Sequence, residues 1–153
     1  MVHELNIDNL SSQEWSYLHG LFLTDGCSNI SRIRGSPIGY RVVFYFGGKS
    51  DDEKASAQKV AGLLKRIGLN PRIKAVPGKR MIIVQVFSKT LMRFLPDKNK
   101  LTIDAKERQR FFEDNGLCDT GGKRGIAFLA GLLDGDGYCA VDVATCRFGL
   151  LQQ

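Results

Sequence analysis

Phe128-Leu-Ala-Gly-Leu-Leu-Asp-Gly-Asp-Gly137 decides the reading of this 153-residue chain, because it occurs twice. A weaker copy, Tyr17-Leu-His-Gly-Leu-Phe-Leu-Thr-Asp-Gly26, stands near the start. Aligned on the final Asp-Gly, Leu18 matches Leu129, Gly20 matches Gly131, Leu21 matches Leu132 and Asp25 matches Asp136. Each copy makes about three turns of apolar helix, in which a glycine costs roughly 1 kcal/mol relative to alanine. A glycine also lets a second backbone come close, which can offset that cost. Gly20 and Gly131 are therefore expected at the contact of two packed helices, with the two Asp-Gly ends side by side. Glycine just past a helix is an ordinary cap, but a carboxylate in the last turn opposes the helix dipole. Two such carboxylates repel each other, and a divalent cation that takes oxygen ligands, such as Mg2+, resolves the repulsion.

The second copy resembles the LAGLIDADG motif of homing endonucleases, matching it at every position except Leu133 and Gly135. The first copy keeps the Leu-x-Gly-Leu frame and the terminal Asp-Gly, with Leu23 where the second has Asp134. The resemblance implies a site-specific endonuclease that cuts both strands of a long DNA target, with Mg2+ (or Mn2+) as cofactor. It also implies that the paired helices place one acid from each half, Asp25 and Asp136, as catalytic metal ligands above the cleavage centre.

Composition agrees with a soluble globular chain: 43% apolar, 25% charged, and long enough for one domain with a real core. The net charge of +6 favours a polyanionic partner. Its distribution says more. Residues 1–26 carry four acids and no Lys or Arg, residues 27–100 carry 16 basic against 4 acidic side chains, and residues 101–153 carry 6 against 8. Positive charge is concentrated between the motifs. Cys27, Cys118, Cys139 and Cys146 show no C-x-x-C spacing, so neither a zinc site nor a redox motif is indicated. With no signal peptide and no apolar run of membrane-spanning length, an intracellular location and no membrane partner are expected.

Along the chain, Ser11 or Ser12 caps a helix from about Gln13 to Gly26, with Glu14 placed as in a capping box. Strand-like runs Cys27–Arg34 and Tyr40–Phe46 follow, joined by a loop at Gly35–Gly39. A helix opens at Asp51-Asp-Glu53, where acids suit the dipole; Val60, Leu63, Leu64 and Ile67 form its apolar stripe and Gly68 closes it. Arg72–Val76 and Met81–Phe87 form a second hairpin around Pro77-Gly78, and Ser88 caps a short helix through Leu95. This order of helix, hairpin, helix, hairpin, helix is α+β with an antiparallel sheet, and it is the order of one LAGLIDADG domain. Residues 1–95 are thus expected as a first half-domain. Residues 96–124 follow as a linker with a helical insert near Asp104–Asn115, and residues 125–153 as the start of a second half. Only sixteen residues follow Gly137, enough for one hairpin such as Cys139–Ala144 with Arg147–Leu151. The second half therefore reads as truncated, and a second chain completing it is one expectation.

In the family a four-stranded sheet from each half forms a saddle over DNA. Alternation gives Ser31, Arg41, Tyr45, Arg72, Lys74 and Gln85 as DNA-facing candidates, opposite the apolar Val42, Phe44 and Phe46, with Lys79 and Arg80 in the second turn. Arg and Gln suit base edges and Lys suits phosphates. The family also sets a basic residue near each active site, for which Lys89 or Lys79 is the candidate; His3 and His19 are poor catalytic choices. Three classes stay open: the endonuclease, a nucleic-acid-binding relative without cleavage such as a maturase or regulator, and an inactive fragment of a larger endonuclease or intein.

Overall fold

A computed structural model describes residues 4–48, 50–114, 122–135, 137–141 and 146–150. The chain divides into two compact units, one of residues 1–11 with 26–95 and the other of residues 12–25 with 96–153.

The described residues of the first unit form a sheet with two α-helices, after a short 3-10 turn at Ile7–Asn9. Strands β1 (Gly26–Ile33), β2 (Ser36–Gly47), β3 (Arg72–Ala75) and β4 (Met81–Phe87) form an antiparallel sheet in the order β1-β2-β4-β3. Helices α2 (Asp51–Arg66) and α3 (Lys89–Phe94) follow the two hairpins, while the label α1 belongs to Ser12–Asp25 of the second unit. Val42, Phe44 and Phe46 of β2 share one sheet face with Val84 and Val86 of β4, and all five are buried. Helix α2 packs against β2, β3 and β4 through a stripe that buries Val60, Leu63 and Leu64. Full burial of one such side chain is worth about 1.5–3 kcal/mol.

The ends of α2 are written into its sequence. Ser50 Oγ accepts from the Glu53 amide at 3.2 Å, and Glu53 Oε2 accepts from the Ser50 amide at 3.1 Å, a complete capping box. Asp51, Asp52 and Glu53 occupy the first turn and Lys65 and Arg66 the last, as the dipole favours. Gly68 just beyond has φ +93, a conformation that side chains resist. The leader is tied to this end: Asn9 Nδ2 donates to the Arg66 carbonyl at 2.7 Å, and Arg66 Nη2 donates to the Asn9 carbonyl at 2.8 Å.

The first hairpin is longer than its sequence suggests. Instead of a loop over Gly35–Gly39, β2 begins at Ser36, and Arg34 and Gly35 make a two-residue turn with φ values of 49 and 81. Positive φ at both central positions matches the right-handed twist of the flanking strands. Pro37 sits inside β2 without breaking it, because β2 pairs with β4 only from Arg41 onward and has β1 alone beside Pro37. A bulge between Ser31 and Arg32 absorbs the extra residue.

The second unit holds α1, α4 (Lys98–Ile103), α5 (Ala105–Asp114), α6 (Lys123–Gly135) and the hairpin β5 (Gly137–Val141) with β6 (Cys146–Leu150). Where one helical insert was expected the described residues form two. Asp97 Oδ1 accepts from the amides of Asn99 and Lys100 and starts α4. Asp104 Oδ1 accepts from those of Lys106 and Glu107 and starts α5. Helix α1 packs along α6. His19, 8% exposed, lies in an aromatic cluster with Trp15 and Phe111, and Phe111 and Phe112 in turn meet Phe128.

Candidate functional site

Two features carry the candidate chemistry, one in each unit. In the second unit, α1 and α6 touch backbone to backbone. A Cβ added to Gly20 would run into the Phe128 carbonyl oxygen, and one added to Gly131 would run into that of Tyr17. Tyr17 stands three residues before Gly20 as Phe128 does before Gly131, so the crossing has an internal two-fold symmetry. Side chains break that symmetry further along. A Cβ on Gly135 would collide with the Thr24 hydroxyl and come within 3.3 Å of Asp25 Oδ2. The C-terminal end of α6 therefore lies against the half-buried Asp25 carboxylate. Asp136 is the next residue in the chain and lies outside the described residues.

Tyr17 and Asp134 form the polar contact of this seam, the phenol donating to Asp134 Oδ2 at 2.7 Å. The Tyr17 phenol is pushed above its ordinary range, first by burial, then by its hydrogen bond to Asp134 and by that carboxylate's negative charge. The folded chain thus holds the phenolic proton more tightly than the unfolded chain. The stability involved is fully present below the unfolded value of about pH 10 and is lost as pH climbs toward the folded one. Thermal melts of the native chain should therefore fall more steeply above about pH 10 than those of Tyr17→Phe. Parallel pH dependences in the two chains would contradict this coupling.

In the first unit, strand register places Ser31, Arg41, Tyr45, Arg72, Lys74 and Gln85 on one sheet face, opposite the buried Val42 and Phe44. Gln85 stands across from both Val43 and Arg72, Ile83 across from both Tyr45 and Lys74, and Ser31 across from Gly39. Ser31, Arg72 and Lys74 are exposed, Arg41 and Tyr45 are half-buried, and Gln85 is only 6% exposed. Arg41 donates from Nε and Nη2 to Gln85 Oε1 at 3.1 and 3.0 Å. Lys79 and Arg80 lie exposed in the β3–β4 turn. Asn29, exposed and opposite Arg41, belongs to the same face; extending the alternation two residues back from Ser31 would have found it. Lys89 opens α3, exposed, with Nζ 5.3 Å above the Tyr40 ring.

Residues 12–116 match the sequence profile of the LAGLIDADG-like domain. The chain belongs to the LAGLIDADG family. Its fold is that of the LAGLIDADG endonucleases, and three solved structures show the likeness. The homing endonuclease I-DmoI in complex with DNA and Mn superposes with a TM-score of 0.55 at 23% identity, over 83% of this chain and 63% of that one. A structure from a study of mesophilic I-DmoI variants gives 0.55 at 26% identity with the same coverage. I-DmoI in complex with DNA and Ca gives 0.54 at 26%, over 83% and 59%. The chain spans less than two thirds of the length of these LAGLIDADG proteins. No curated protein sequence matches it.

One of the two departures from the motif now has its neighbours. Gly135 replaces the motif's alanine where Thr24, the equivalent residue of the other copy, fills the space a methyl group would need. Among the described residues no group of three or more His, Cys, Asp or Glu could hold a metal ion. At the seam's end they offer the Asp25 carboxylate, an oxygen donor of the kind hard divalent cations take. No helix among the described residues is long and apolar enough to cross a membrane.

Proposed function

We propose that this chain is part of a site-specific, double-strand DNA endonuclease of the homing type. The observation carrying this reading is the packing of the α6 end against the Asp25 carboxylate at a glycine-to-backbone crossing. Residues 1–95 form a first half-domain, 96–124 a linker with helical insert, and 125–153 the start of a second half. Asp25 and Asp136 are the residues that would hold Mg2+ or Mn2+, through carboxylate oxygens. When bound, the metal stabilises charge at the scissile phosphate and favours attack by water.

The rest is the chain's own work. Ser31, Arg41, Tyr45, Arg72, Lys74 and Gln85, with Lys79 and Arg80 in the turn, present a basic and polar surface to the duplex. The lysines and Arg72 neutralise phosphates, and this positions the DNA without reading it. Lys89, or failing it Lys79, adds a positive charge beside the strand to be cut.

The test uses the full chain and plasmids carrying a randomised insert. In Ca2+ the chain should retain duplex DNA, with affinity falling roughly 10²-fold between 50 and 200 mM salt, as about four phosphate contacts require. In Mg2+ or Mn2+ it should linearise a subset of inserts, and EDTA should stop this. Retention without linearisation in either metal would replace the endonuclease by a nucleic-acid-binding relative. No retention at low salt would end both readings.

A further inference from the structure

Arg41 and Gln85 meet diagonally across β2 and β4, and their bond leaves the arginine in a particular state. A guanidinium carries five N–H groups in a planar fork. Nε–H and one Nη2–H, the side-on edge, both go to Gln85 Oε1 at 3.1 and 3.0 Å. The end-on edge, made by Nη1 and the second Nη2–H, has no acceptor among the described residues. Gln85 itself is 6% exposed, between Val43 on one strand and Arg72 on the other. Reading adenine through a glutamine takes both its amide oxygen and its amide nitrogen at the base edge. Here the oxygen is already spent on two N–H groups beneath the surface.

Resting on the DNA reading above, we propose that Arg41 is a specificity-determining residue that recognises guanine. Gln85 is the positioning residue that fixes its guanidinium. The free end-on edge offers two parallel N–H donors, the geometry that matches guanine O6 and N7 in the major groove. A flexible arginine loses rotamer freedom when it binds; one already held by a buried carbonyl has lost most of it beforehand. Arg72, directly opposite Gln85 and exposed, adds charge but has no such brace among the described residues.

The experiment is selection of bound sequences from a randomised duplex library in Ca2+ by the full chain and its variants. Arg41→Ala should abolish a guanine preference at one position of the selected site, by on the order of ten-fold or more, and leave other positions as they were. Gln85→Leu should weaken the preference at that same position, and the double variant should lose no more than Arg41→Ala alone. Gln85→Glu, whose carboxylate accepts the same two N–H groups, should keep it. If Gln85→Leu lacks a folded thermal transition, Gln85→Met, of similar length and without the acceptor, takes its place. A change at a different position in the Gln85 variants, or none, would overturn the pairing while the DNA reading stood. Failure of the native chain to enrich any sequence would overturn both.

Discussion

Asp25→Asn is expected to reduce metal-dependent DNA cleavage by about 10³-fold or more while leaving DNA retention in Ca2+ unchanged. The size follows from removing one charged ligand from a centre that supplies several kcal/mol of transition-state stabilisation, at about 1.4 kcal/mol per factor of ten. Retained folding separates this from damage to the fold. Asp25 is the last residue of α1, and the isosteric amide keeps the side chain's shape. A chain that still melts cooperatively and binds duplex but no longer cuts is the expected result. Cutting at the native rate would remove Asp25 from the catalytic centre.

The second large effect concerns folding. Gly20→Ala and Gly131→Ala should each destabilise the chain by about 1–3 kcal/mol or more, the cost of forcing atoms into a filled space. The added methyl would meet backbone at both positions, and backbone cannot swing aside as a flexible side chain can. Gly62→Ala is the control, since it is the same substitution inside helix α2 with nothing within 4 Å of the new Cβ. There only helix propensity acts, and stability should rise by about 1 kcal/mol. Chemical denaturation of the three variants reads opposite signs for one chemical change. Equal responses at Gly20 and Gly62 would mean that the crossing is not tight.

Much of the fold was legible because its signals are local. Asp51-Asp-Glu53 and Gly68 mark the ends of α2 by chemistry that acts within the first and last turn, and the period of two along β2 and β4 assigns each side chain to a face. What was missed depended on partners distant in sequence. Pro37 and its flanking glycines read as a loop, since nothing local tells that β2 outruns β4 at that point. Helix α4 is six residues without a buried side chain, so its only sequence mark is the Asp97 cap. The Asp-Gly repeat announced the motif helices and their glycine contact. The link between Arg41 and Gln85 could not be read, because residues 44 apart become diagonal neighbours only once the strand register is known. The expected second acid, Asp136, and residues 142–145 and 151 of the last expected hairpin lie outside the described residues.

The exchange of Thr24 for Gly135 across the seam makes the two motif helices non-interchangeable. If α1 met another α1 in the same geometry, Thr24 would face Thr24 in a gap that holds only one of them, and Tyr17 would face Leu23 with no acceptor. If α6 met another α6, two glycines would leave a void, and Asp134 would face Phe128 with no donor. Only the mixed pair fits in both volume and hydrogen bonding, so the seam works as a lock and key within one molecule and disfavours self-association through either helix alone.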